Sequence, residues 1–169
     1  RGLVGSEMCI RDRSPESEEP LILTSLSVLT KLEADCYPQL RRLLDYPLMS
    51  VREALVNRLV EHESAYGDAA RDDVVEGSDL SLRARRTLLS ALARFTGPPD
   101  ASLVAAVADM LSADDWGLRA DAVRVVRHWQ TLEGIDEALI APAVATMNAL
   151  LANETDPYVR FAGEEERSS

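Results

Sequence analysis

Apolar residues recur at intervals of three and four along most of this chain, the spacing of one buried face of an α-helix. Ile22, Leu26, Leu29 and Leu32 place a helix over Leu21 to Ala34. Tyr37-Pro38 opens a short helix that runs to Leu44, because proline is tolerated in a first turn. After Asp45-Tyr46-Pro47, the residues Leu48, Val51, Leu55 and Leu59 mark another helix. Glu63 to Gly77 is the least regular stretch and reads as a loop, or as a frayed helix around Ala69 to Val75. Leu88, Leu89, Leu92 and Phe95 restore the stripe, and Gly97-Pro98-Pro99-Asp100 ends that helix and caps the next, which carries Leu103, Val104, Val107 and Leu111. Leu118, Ala122, Val125, Val126 and Trp129 form the clearest amphipathic stripe, and Leu139, Ala143, Met147, Leu150 and Leu151 form another before the turn at Asn153 to Pro157. Val and Ile fall at helical rather than alternating positions, so the pattern predicts an all-α chain of antiparallel helix pairs.

Three pentapeptides share one pattern: Asp79-Leu80-Ser81-Leu82-Arg83, Asp115-Trp116-Gly117-Leu118-Arg119 and Asp156-Pro157-Tyr158-Val159-Arg160. Leu48-Met49-Ser50-Val51-Arg52 keeps all but the Asp. The arginines stand 31, 36 and 41 residues apart, which points to a stacked helical repeat. In each copy the Asp is expected to cap the following helix. The Leu or Val is expected to be its first core residue. The Arg is placed to reach the Asp of a neighbouring repeat and build a ladder of ion pairs. Exposed pairs of that kind are each worth only ~0–1 kcal/mol, so apolar burial holds the stack and the ladder sets register.

These residues resemble the Asp-to-Val-Arg signature of HEAT repeats, and the resemblance covers Tyr37 to Arg160. It implies an α-solenoid of helix pairs, a right-handed superhelix whose usual role is protein–protein interaction. Other HEAT-built proteins do chemistry, such as alkylpurine DNA glycosylases, bilin lyases and deoxyhypusine hydroxylase, so part of an enzyme is an alternative.

Leu3 to Asp12 looks like translated sequencing-adapter DNA, and residues 1–13 are set aside as non-native. On that reading the chain is the C-terminal portion of a longer array. Residues 14–20 are a linker, 21–162 the repeat domain, and 163–169 a disordered acidic tail. Without the adapter residues the chain keeps 15 basic and 27 acidic side chains, and Cys36 is its one cysteine, which excludes an internal disulfide and a cysteine metal site. Lys31 is the sole lysine among 18 basic residues, and with the acidity this fits either a salt-adapted source or an ordinary acidic cytoplasmic protein. No apolar run approaches the ~20 residues of a membrane span.

Candidate chemistry is sparse. No catalytic set, cofactor motif or metal set is expected. His62 in Glu61-His62-Glu63 is a single His-Glu pair, short of the several an iron site needs, and His128 reads as solvated beside Arg124 and Arg127. Trp116 either folds back over the stack or stands out as an anchor for a partner. Trp129 belongs to the core. Arg83, Arg86 and Arg94 share one side of their helix, and Arg124 and Arg127 lie opposite an apolar stripe. The resemblance puts both sets on the concave surface, where a basic strip suits an acidic peptide or a phosphate backbone, unless the arginines simply pair with neighbouring carboxylates. The expected partner is another protein, with nucleic acid as the alternative.

Overall fold

The computed structural model describes residues 14–29 and 36–164, and the segment resembling adapter sequence, Lys31, Leu32 and residues 165–169 lie outside them. Among the described residues every regular element is a helix: α1 (Pro15–Leu29), α2 (Tyr37–Arg41), α3 (Met49–Glu61), α4 (Glu63–Glu76), α5 (Leu82–Leu92), α6 (Ala101–Met110), α7 (Trp116–Thr131), α8 (Glu137–Asn153) and α9 (Pro157–Glu164). None of them is long and apolar enough to cross a membrane.

Packing follows from the stripes. Helices two places apart lie against one another: α1 on α3, α3 on α5, α5 on α7 and α7 on α9, with α4 on α6 and α6 on α8 in a second row. Chain neighbours then join the rows, α3 to α4, α4 to α5, α6 to α7 and α7 to α8. The core between them contains Leu55, Leu59, Leu88, Leu89, Val107, Val125, Val126 and Met147, all fully buried. Burial of each such side chain contributes ~1.5–3 kcal/mol.

Three boundaries differ from the expectation. The first helix begins at Pro15, so residues 15–20 are helical and Pro20 lies inside α1 rather than in a linker. The stretch after Glu63 is a continuous helix, because Tyr66, Ala70 and Val74 recur at four-residue spacing and are buried. Gly67 lies inside this helix, where a Cβ would come 2.9 Å from Glu63 Cγ and 3.0 Å from Arg71 Nη1. At the far end, Gly163 and Glu164 belong to α9 rather than to the tail.

The repeated pentapeptide has a different register from the one its letters suggest. Asp115 and Asp156 cap as expected: the Asp115 carboxylate accepts from the Leu118 amide at 2.8 Å, and that of Asp156 from the Tyr158 amide at 2.9 Å. Asp79 does not cap. Ser81 does so instead, accepting from the Ala84 amide at 3.1 Å, while Asp79 pairs with Arg41 at 3.0 Å. Leu82 therefore opens its helix and is 45% exposed, and Ala84 takes the inward place. Counted from the caps, the third helical residues Val51, Ala84, Leu118 and Val159 are all buried. The next residues are Arg52, Arg85, Arg119 and Arg160, at intervals of 33, 34 and 41.

Two of these arginines fold back in the same way. Arg52 donates to the carbonyls of Tyr46 and Pro47, and Arg119 to those of Ala113 and Asp114, in each case six and five residues earlier. The guanidinium satisfies carbonyls of the turn that lie beyond the end of the preceding helix. Arg119 also reaches Glu154 in the next turn at 2.9 Å, both side chains being largely buried. Ion pairs do link residues 35 to 38 positions apart, but through Arg41–Asp79, Arg86–Asp121 and Arg119–Glu154 rather than from the motif Arg to the motif Asp.

Two stability tests follow. Ser81→Ala should cost ~1 kcal/mol, the usual value of a lost N-cap, while Asp79→Ala leaves the cap in place; thermal unfolding of the two variants distinguishes them. Glu154 is held below the ordinary carboxylate value by the Asp156 amide and Arg119, against burial. Its stabilisation is complete above the unfolded value of about 4.3 and is lost as pH falls through the lower folded value. Glu154→Gln should therefore cost ~1–2 kcal/mol at neutral pH, and the gap from the parent chain should close in acid.

Candidate interaction groove on the α3–α5 face

Between the outer faces of α3 and α5 lies an open groove of ≈ 990 Å³. α3 and α5 pack side by side, and buried Val56 and Thr87 lie among its lining residues. Four arginines line it: Arg52 from α3, Arg83 and Arg86 from α5, and Arg94 just past the end of α5. Three carboxylates lie among them, Asp45, Glu53 and Asp121. Met49 and Leu82 open their helices at the same end of the groove and are 64% and 45% exposed.

The arginines are held unequally. Arg86 Nε donates to Asp121 at 2.7 Å, and Arg124 meets the other oxygen of that carboxylate at 3.0 Å. Asp121 is buried, and burial raises its pKa against the pull of the two guanidinium groups. Arg83 is looser, 3.3 Å from the Asp45 carbonyl and 3.8 Å from its carboxylate. Arg94 donates to the neutral Asn57 Oδ1 at 2.7 Å. Arg52, bonded to backbone carbonyls, sits below its ordinary value first because of burial and then because Arg83 and Arg86 crowd it, Asp45 opposing.

Trp116 lies beside the groove, folded against the stack but not covered by it. It stacks on Tyr158 with ring centroids 4.9 Å apart, joining α7 to α9, yet 42% of it stays exposed. The Arg86 guanidinium lies 5.5 Å from its ring centroid, a cation–π contact. Gly117 permits this: a Cβ there would fall 2.5 Å from Arg86 Cζ.

The expected basic strip is therefore divided. Arg83, Arg86 and Arg94 share the groove, Arg124 stands behind it on Asp121, and Arg127 turns away to donate to the Gly163 carbonyl on α9 at 3.0 Å. The buried Nε of Arg127 has no hydrogen-bond partner among the described residues. Arg52 and Met49 are absent from the expected site, although both belong to the fourth motif copy. Asp121 gave none, since its burial arises from contacts across helices.

The remaining candidates are structural. His128 is half-buried rather than solvated, with Nε2 donating to the Phe95 carbonyl at 2.6 Å. His62 lies edge-on to Tyr66 at the α3–α4 junction. Glu63 accepts from the Thr96 and Gly97 amides and pairs with Arg71, which also covers the Phe95 ring; burial pushes its pKa up, but these donors outweigh it and the net shift is downward. Among the described residues no three His, Cys, Asp or Glu side chains gather as a metal-binding group.

Comparison with protein-family models, with curated proteins and with solved structures finds no match to this chain.

Gly117→Ala tests the Arg86 arrangement. On helix propensity alone the change should stabilise by ~1 kcal/mol. Displacing Arg86 leaves buried Asp121 with Arg124 alone, so the net effect should instead be a loss of ~1 kcal/mol. A change in Trp116 fluorescence should accompany it, while Trp129, being buried, keeps its environment. Stabilisation with an unchanged emission spectrum would show that Arg86 is not held there.

Proposed function

We propose that this chain is an α-solenoid of HEAT-like helix pairs, and that it serves as a non-catalytic scaffold binding another protein in the α3–α5 groove. The observation that carries the reading is the groove itself. It is open, it is flanked by exposed Met49 and Leu82, and its polar side chains bond to groups of the protein's own framework that hold them in place. The cap register supports the repeat reading, since Arg52, Arg85 and Arg119 stand at nearly equal intervals of 33 and 34 residues, closer to a single period than the raw motif. Side-by-side packing of α3, α5, α7 and α9 supports it too, because identical neighbour relations recur along the row. A rigid floor with protruding side chains suits an extended or helical segment of a partner at low reorganisation cost.

Selection from a displayed random-peptide library against the whole chain tests this. Enriched peptides should bind the parent protein, and Ser90→Trp should weaken them at least about tenfold by filling the groove, since Ser90 lines it and is exposed. No enrichment, or equal binding to the Ser90→Trp protein with an unaltered circular dichroism spectrum, removes the groove as the binding surface.

A further inference from the structure

Resting on the scaffold reading, we infer that the groove takes an extended peptide segment bearing two acidic side chains about five residues apart, with an apolar residue beside the first. Three observations lead there. The first is charge. Four guanidinium groups face three carboxylates in a chain whose total charge is −11, so the groove is locally opposite in sign to the molecule around it. Arg52 and Arg94 donate to neutral oxygens, the carbonyls of Tyr46 and Pro47 and the amide oxygen of Asn57. Their charge is therefore available to an incoming carboxylate without breaking an ion pair. Arg83 holds its carboxylate at a loose 3.8 Å and can exchange it.

The second is spacing. Arg83 lies at the start of α5 and Arg94 two residues past its end. At the helical rise per residue, the two are on the order of 17 Å apart along the groove. An extended chain covers that length in about five residues. Arg52 shares the Arg83 end and Arg86, between the ends, is committed to Asp121, so the donor forks open to a partner's acids stand at the two ends of the span.

The third is the apolar edge. Met49 and Leu82 flank the Arg83 end and are exposed. They offer an apolar neighbour of the first acid a place to pack. A phosphate backbone fits this surface poorly. Its charges follow one another too closely to avoid Asp45 and Glu53, and it carries nothing to bury against Met49 and Leu82. Discrete acids separated by apolar residues satisfy both halves of the groove.

The test is fluorescence anisotropy on the intact chain with a labelled peptide carrying Leu-Glu, a short Gly-Ser spacer and a second Glu at that distance. Controls are the same peptide with Gln for both Glu, one with the two Glu adjacent, and a single-stranded oligothymidylate. At low salt the spaced Glu peptide should bind about tenfold or more tighter than the Gln peptide, and the preference should shrink as salt screens it. The double variant Arg83→Gln, Arg94→Gln should erase that preference, while Met49→Ser with Leu82→Ser should weaken the Glu and Gln peptides alike. Both pairs lie on the surface, and circular dichroism checks that the helices persist. Equal affinity for the Glu and Gln peptides, a preference that survives the double arginine variant, or tighter binding of the oligothymidylate overturns the inference. If library-selected peptides occupy the groove yet carry no acids, the scaffold reading stands and the acidic preference alone falls. If no peptide binds the groove, both fall together.

Discussion

Everything in this structure depends on apolar stripes that no single helix can hide. Leu55 and Leu59 on α3, Leu88 and Leu92 on α5, and Val125 and Val126 on α7 lose their water only because the neighbouring helix is present. Along both rows, helices two places apart complete one another's apolar stripes.

The polar contacts act within that constraint. Helices held by nonspecific apolar contact can slide by a turn, and the fixed points here are at the turns. Side-chain caps from Ser81, Asp100, Asp115 and Asp156 set where α5, α6, α7 and α9 begin. Arg52 and Arg119 close the turn carbonyls behind α3 and α7. Arg86–Asp121 then ties α5 to α7, and Arg119–Glu154 ties the start of α7 to the turn after α8. Since Asp121 is buried, its two arginines matter more for preventing an uncompensated charge than for adding net stability.

The same geometry creates the groove. Packing α3 against α5 uses one face of each, and the residues at the following positions are turned outward as a pair of parallel edges. Arginine at those edges is a consequence of chain order as well as composition: Arg83, Arg86 and Arg94 come from one helix and its end, and Arg52 comes from the neighbouring helix at nearly the same level. Gly117 extends this logic to α7, where the missing side chain lets Arg86 lie across the helix start and over Trp116. The aromatic stack of Trp116 on Tyr158 carries the connection on to α9.

Local spacing determined much of this on its own. The helical nature of the chain, the caps at Asp100, Asp115 and Asp156, and the core stripes of α5, α6 and α7 depend on residues within a few positions of each other, so their letters suffice. The clustering of Arg83, Arg86 and Arg94 was legible for the same reason, since they share one helix face or its extension. Tertiary structure decided what local spacing could not. Ser81 rather than Asp79 caps α5, and Asp79 pairs instead with Arg41, far off in the chain. α4 is helical through Gly67 because packing buries Tyr66, Ala70 and Val74, although the run itself has little apolar character. Arg52 joins the site, and Arg127 leaves it, by virtue of which helix lies alongside. A cap or a stripe is a property of one turn of chain, but burial, ion pairing and the shape of a groove belong to the space between helices, and only their packing creates that space.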